Sequence, residues 1–153
     1  MLPEAAKLPP YTEFYQSYLQ SPVVFETSAA WLEFQQQLND DPGNCQQLPW
    51  QQLLKTQFWN LTFYLQAQQC FASAPAELKS FREYQQYVLN GILQSGNGKA
   101  SYSAYQLTNY FDAHEIVRLL DLQTVDYYGE LSSENNALHY VFQVYDQNQQ
   151  KFR

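Results

Sequence analysis

The chain reads as an α+β protein: N-terminal helical hairpins of about four helices, then a small antiparallel β-sheet with one helix packed on it. Three observations predict this class. Up to Ile92 apolar residues recur three and four apart, the period of a helix face. At Gly96-Asn97-Gly98-Lys99 that period stops. Further on, Leu138, Tyr140, Phe142 and Val144 alternate strictly with His139, Val141, Gln143 and Tyr145, the period of a strand.

Residues 1–10 are Pro-rich and read as a flexible leader. Tyr11, Phe14, Tyr15, Tyr18 and Leu19 share one helical face, and Pro22 closes that helix. Residues 23–25 read as a short extended connector. Thr27 or Ser28 then caps a second helix bearing Trp31, Leu32, Phe34 and Leu38, and residues 39–44 break it. Residues 48–72 read as the longest helix, with Pro49 in its first turn and Trp50, Leu53, Leu54, Phe58, Leu61 and Leu65 along its face. Pro75 follows the next break. A fourth helix carries Leu78, Phe81, Tyr84, Tyr87, Val88 and Ile92, tolerates Gly91, and stops at Gly96 and Gly98.

After the glycines, residues 102–107 alternate like a strand. Asn109 or Asp112 caps a short helix whose Phe111, Ile116, Leu119 and Leu120 face inward, with Glu115, Arg118 and Asp121 outward. Residues 125–131 form a strand, 132–136 a turn, 138–145 the best strand, and Lys151 opens a last one. The organisation is a helical lobe over 11–95 and a strand–helix–hairpin lobe over 96–153, forming one compact unit.

Composition narrows the function. The net charge is −7 and the pI about 4.6, with no basic stripe for a phosphate backbone, which argues against nucleic acid and anionic membrane surfaces. No apolar run reaches the roughly 20 residues of a membrane span. Charged residues are 15% of the chain against about a quarter in ordinary proteins. Glutamine and asparagine runs such as Gln35-Gln36-Gln37 and Gln46-Gln47 replace them, and read as solvated helix faces. Met1 is followed by Leu2-Pro3-Glu4-Ala5-Ala6, with neither a basic nor an apolar leader segment, and reads as the start of a mature protein given an initiator Met.

Ile92-Leu93-Gln94-Ser95-Gly96-Asn97-Gly98-Lys99, then Ala104-Tyr105 and a short helix ending Leu119-Leu120, resembles a bacterial domain family of unknown function found in secreted proteins and lipoproteins. The likeness spans residues 48–152; the first 47 residues lie outside it. Asn97 stands where that family prefers Asp, Ala100 where it prefers Ser or Thr, and Leu120-Asp121-Leu122 where a Leu-Gly pair is usual. The resemblance implies a helical hairpin, a tight turn, a small αβ lobe and an extracytoplasmic setting. It implies no activity.

Several residue groups invite chemistry. Gly96-Asn97-Gly98-Lys99 lacks the earlier glycine and the following Ser or Thr of a phosphate loop and follows a helix, so it reads as a structural turn. Asp112, His114, Glu115 and His139 have the right atoms for zinc or iron. However, His114 and Glu115 are adjacent and diverge on a helix, so no metal or other cofactor is expected. Asp40-Asp41-Pro42-Gly43-Asn44 lacks calcium-loop spacing, and the glycosylation pattern Asn60-Leu61-Thr62 falls inside the expected long helix.

Cys45 and Cys70 flank that helix. A straight helix over 48–72 would hold its ends roughly 35 Å apart at ~1.5 Å per residue, against the ~7 Å a disulfide allows. Either the helix is broken, or Cys45 folds far back, or the thiols are free; the straight-helix geometry favours no intrachain bond.

The aromatic share, 17%, exceeds the needs of a core this size. Tyr11, Phe14, Tyr15, Tyr18, Tyr84 and Tyr87 read first as core packing; the alternative is that they form an interaction surface, part of a contiguous exposed patch on a Tyr-rich helix. The leading reading is a non-enzymatic extracytoplasmic module that binds another protein, one version being an acidic immunity or inhibitor protein that covers a basic toxin. A small hydrolase of unknown substrate, whose site the spacing of Asp112, His114 and His139 does not assemble, and a structural or accessory lipoprotein domain, are the alternatives.

Overall fold

The computed structural model describes residues 9–20, 24–99, 103–107, 111–131, 138–146, 148 and 151–152. The architecture is α+β, helices first and a small antiparallel sheet last. The chain divides into two compact units, Met1–Gly91 and Ile92–Arg153.

The first unit is helical. α1 spans Tyr11–Gln20 and α2 Val24–Asp40. The expected connector at 23–25 gives way to helix from Val24, and Thr27 and Ser28 lie inside α2 rather than capping it. Capping preference is a local prior. Burial overrides it here: Phe34 is buried, and Trp31 and Phe34 both pack against Phe63. A 3₁₀ turn, Pro42–Gln47, follows, and then α3, Trp50–Gln57.

The expected long helix over 48–72 is interrupted. α3 ends at Gln57, and α4 runs Leu61–Cys70. Asn60 makes the break. It stands in extended conformation (φ −92°, ψ 107°), and its Oδ1 accepts the Phe63 N–H at 3.2 Å, an N-cap. Its own N–H donates to the Gln57 carbonyl at 2.9 Å, and its Nδ2 donates to Gln57 Oε1 at 3.3 Å. The Tyr64 hydroxyl donates to the Phe58 carbonyl that the break exposes. The glycosylation pattern thus sits on a buried cap, its amide already engaged.

That break corrects the cysteine expectation. α4 turns back on α3, which brings Cys45 and Cys70 to a Cα separation of 5.9 Å, and the two are disulfide-bonded.

The core of this unit is aromatic. Trp50 packs against Phe34 (5.0 Å between centroids), Phe63 (5.4 Å), Phe71 (5.5 Å) and Phe81 (5.8 Å). Those partners come from α2, α4, the turn after α4, and α5, which spans Pro75–Gln94. The glutamines expected on solvated faces also take part. Gln35 and Gln66 exchange a reciprocal pair of 2.6 Å hydrogen bonds between α2 and α4, and Gln68 donates to the buried Gln85 at 2.8 Å between α4 and α5. A primary amide both donates and accepts, so it can cross-link helices where a charge would cost desolvation.

Gly91 is required rather than tolerated. A Cβ built there would lie 2.2 Å from Tyr11 Cβ, so its absence lets α1 approach α5. Gly91→Ala is expected to destabilise by about 1–3 kcal/mol, because that overlap outweighs the ~1 kcal/mol helix preference for alanine. Urea denaturation measures it; an unchanged or raised midpoint would refute the close-approach role.

In the second unit α6 spans Phe111–Leu119, β1 Leu122–Leu131, β2 Leu138–Asp146 and β3 Lys151–Phe152. The sheet order is β1-β2-β3, antiparallel throughout, with Tyr127 opposite Phe142 and Gly129 opposite Tyr140. The register shifts between Thr124 and Asp126, leaving Val125 as the extra residue of a bulge. Asp121 adopts φ 56°, the left-handed region that lets the chain leave α6 and enter β1 at once.

Residues 103–107 hold no strand. The Ser103 carbonyl accepts the N–H groups of Asn97 (2.8 Å) and Gly98 (3.0 Å), and the Gln106 N–H donates to Ser95 Oγ (2.8 Å). Backbone groups that a ladder would have used are tied to the end of α5 instead. The expected turn at 132–136 lies outside the described residues.

Candidate functional site

Of the six aromatic residues read as core or, alternatively, as an interaction surface, Tyr11 and Tyr84 are core residues, 4% and 1% exposed. Phe14 is half-buried, 4.3 Å from Phe58 and 4.9 Å from Trp59. Tyr15 is half-buried and stacks on Tyr11 at 6.1 Å. The Tyr87 hydroxyl donates to the Pro9 carbonyl. Burial raises the phenols of Tyr15 and Tyr87 above their ordinary value. The Tyr18 side chain lies outside the described residues. The helical spacing that identified these rings is the spacing of a core-facing stripe, which explains their burial.

Gly96, Asn97, Gly98 and Lys99 form a tight loop. Asn97 Oδ1 accepts from the Lys99 N–H (3.0 Å) and from Ser103 Oγ (2.7 Å). A Cβ on Gly96 would lie 2.4 Å from the Ser103 and Ala104 carbonyl oxygens, and Gly98 has φ 66° with the Tyr105 ring against it. Because the Asn97 and Gly98 N–H groups already donate to Ser103, they are not available to an anion.

The polar residues of α6 are placed differently from expectation. Glu115 is buried rather than outward-facing, the cap candidate Asp112 is buried too, and Leu120, expected inward, is 38% exposed. Glu115 is held by Arg118, whose Nε and Nη2 both donate to its carboxylate, the former at 3.0 Å. That pair raises the Arg118 guanidinium above its ordinary value, against the opposing effect of burial. A buried carboxylate needs such a partner, and the i,i+3 spacing supplies it, a requirement that outward-facing charge patterning does not reveal. Arg118→Gln is expected to lower stability by about 1–2 kcal/mol, discounted because the Arg118 side chain is 55% exposed. Thermal denaturation at neutral pH tests this; a variant as stable as the parent would refute it.

His114 faces the sheet. Its ring meets Tyr127 and Phe142 edge-on at 5.4 and 5.1 Å, and those two rings stack at 5.6 Å. It serves there as a packing residue between α6 and one sheet face. His139 lies on β2 opposite Glu130. Among the described residues no three His, Cys, Asp or Glu side chains gather as a metal-ion set. A shallow open groove of about 360 Å³ lies against α5, lined by Pro75, Leu78, Lys79, Arg82, Glu83 and Gln86. Its lining carries no Ser, Thr, Cys or His, and its Lys79 pairs with Glu83 at 3.8 Å.

Among the described residues the exposed large apolar side chains are Leu32 on α2, Leu120 after α6 and three on β1: Val125, Tyr127 and Tyr128, 53%, 50% and 55% exposed. Asp126 and Gly129 between and beyond them are exposed as well. One available signal marked this stretch. Tyr127 and Tyr128 are consecutive, and consecutive residues of a strand point to opposite faces, so α6 can cover only one of them.

Compared with protein-family models, with curated proteins and with solved structures, the chain matches none. Among the described residues, no helix is long and apolar enough to cross a membrane.

Proposed function

We propose that the protein is a non-enzymatic, extracytoplasmic module that binds another protein, and that β1 is the surface it uses. The observation that carries this reading is the exposure of Tyr128 (55%) on the sheet face opposite the one where Tyr127 meets His114, on a strand where Val125 is exposed as well. Exposed tyrosines combine a large apolar area with a polar tip, the composition of interface centres. The Cys45–Cys70 disulfide supports a compartment outside the reducing cytoplasm. A net charge of −7 favours a basic partner, as an immunity or inhibitor protein would have.

The test uses immobilised parent protein and a Tyr127→Asp, Tyr128→Asp double variant as baits for extracytoplasmic extract of the source organism. A protein retained by the parent and lost from the variant is the expected result. Identical retention profiles would overturn the reading, provided both baits show the same unfolding midpoint.

A further inference from the structure

We propose that Asn97 is a site of spontaneous deamidation, gated by the hydrogen bonds that Ser103 makes to the Asn97-Gly98 turn. The chain contains two Asn-Gly pairs, Asn90-Gly91 and Asn97-Gly98. Glycine after asparagine leaves the following backbone nitrogen unshielded by a Cβ and free in its dihedrals, so that nitrogen can reach the asparagine side chain. The glycine nitrogen gives its proton to solvent base and bonds to asparagine Cγ. Nδ2 takes a proton from water and leaves as ammonia, and a cyclic succinimide remains. Water then opens the ring. Cleavage at Cγ gives aspartate; cleavage at the backbone carbonyl carbon gives isoaspartate, in which the chain runs through Cγ. Water is the sole co-reactant, and nothing is oxidised or reduced.

The fold separates the two pairs. Both asparagines are exposed, so exposure does not decide between them. Asn90 and Gly91 lie within α5, where a backbone N–H points along the axis to the preceding turn and away from the neighbouring side chain. Gly91 also lies against Tyr11, and Asn90 Oδ1 accepts from Gln86 Nε2 at 2.8 Å. Asn97 and Gly98 lie beyond the end of α5, and Gly98 takes φ 66°. Ser103 restrains this second pair. Its carbonyl accepts the Gly98 N–H at 3.0 Å, which holds the nucleophile. Its Oγ donates to Asn97 Oδ1 at 2.7 Å, which, with the Lys99 N–H at 3.0 Å, fixes the electrophile. Ring closure at Asn97 therefore waits on the opening of one loop, whereas at Asn90 it waits on the unravelling of a packed helix.

The products differ in what they do to the loop. Aspartate keeps the Oδ1 acceptor. Isoaspartate lengthens the backbone where a Cβ on Gly96 would already lie 2.4 Å from the Ser103 and Ala104 carbonyl oxygens, so it forces the loop open. Either product adds a negative charge to a chain of net charge −7.

The experiment incubates the intact protein in mildly alkaline buffer and reads amide-to-acid conversion at each asparagine by peptide mapping, with isoaspartate distinguished by electron-transfer fragmentation. A synthetic peptide of residues 92–99, which lacks Ser103, is the reference. Asn97 is expected to convert, more slowly than in the peptide, and Asn90 to stay intact until urea unfolds the chain. Ser103→Ala is expected to speed conversion at Asn97 about three- to tenfold, the factor that one lost hydrogen bond gives. Ser103→Thr, which keeps the hydroxyl, is expected to hold the parent rate, with unfolding midpoints showing that both variants are folded. Isoaspartyl protein is expected to exchange the Asn97 and Gly98 amides faster than the parent, and Asn97→Asp to exchange them as the parent does.

An Asn97 still intact when the peptide is fully converted would overturn the site. Conversion of Asn90 as fast as Asn97 in the folded protein would overturn the protection by the helix. A parent rate equal to that of the peptide, or a Ser103→Ala rate at or below the parent rate, would overturn the gate. If Ser103→Ala does not fold, the comparison of parent with peptide decides the gate by itself.

Discussion

Trp50→Ala is expected to lower the unfolding free energy by about 3–5 kcal/mol, a large share of what a domain of this size has in total. Trp50 is 4% exposed and touches rings from four segments: Phe34 of α2, Phe63 of α4, Phe71 of the following turn and Phe81 of α5. No single neighbour can move in to fill the space, because each is held by others; Phe63 also contacts Trp31, Tyr64 and Phe81. The indole Nε1–H donates to the Cys45 carbonyl at 2.7 Å, so truncation also removes one of that carbonyl's two donors, the Leu48 N–H remaining. Trp50→Phe keeps most of the packing and loses that bond, and is expected to cost less, about 1–2 kcal/mol. Equilibrium urea denaturation of both variants checks the order. An alanine variant within 1 kcal/mol of the parent, on the same scale, would show that the cluster is not the core.

Removing the disulfide is expected to cost about 3 kcal/mol. Cys45 and Cys70 close a loop of sequence separation 25, for which the chain-entropy account gives roughly 3.5 kcal/mol, an amount that native-state relaxation reduces. The bond also clamps the 3₁₀ turn to the end of α4, where Gln46 Nε2 donates to the Cys70 carbonyl at 3.1 Å. The Cys45→Ser, Cys70→Ser double variant and the parent under reducing agent should unfold at the same lowered denaturant concentration. A thiol assay on the denatured, unreduced parent should find no free thiols. A parent midpoint indifferent to reductant would mean that the cross-link contributes nothing.

These two predictions also mark how far the residues spoke for themselves. Helices with their apolar stripes were legible wherever the period ran uninterrupted, as from Pro75 to Gln94. The strict alternation from Leu138 onward identified β2, and Lys151 marked β3. The break at Asn60 was not. Asparagine inside an apolar stripe reads as a tolerated residue until its side chain is seen to accept the Phe63 N–H, and the disulfide depended on that one cap. The strand expected over residues 102–107 failed for a related reason: alternation is necessary for a strand, but the ladder partner is what makes one.

The candidate site was harder still. Tyr11 and Tyr84 looked like surplus aromatics and are core, while Tyr127 and Tyr128 passed as ordinary strand residues and are exposed. Composition counts rings but does not say which of them find neighbours.

By itself the sequence determined the α+β class, the order of helices before sheet, the acidic charge and the tight Gly96–Gly98 loop. Periodicity, net charge and glycine's access to positive φ are all local properties. Only the tertiary structure decided that Cys45 meets Cys70, that Gln35 and Gln66 cross-link two helices, that Glu115 is buried against Arg118, and that Tyr127 and Tyr128 of β1 are half-exposed. Each of those depends on which distant residues the folded chain brings within a few ångströms, and short-range spacing carries no record of that.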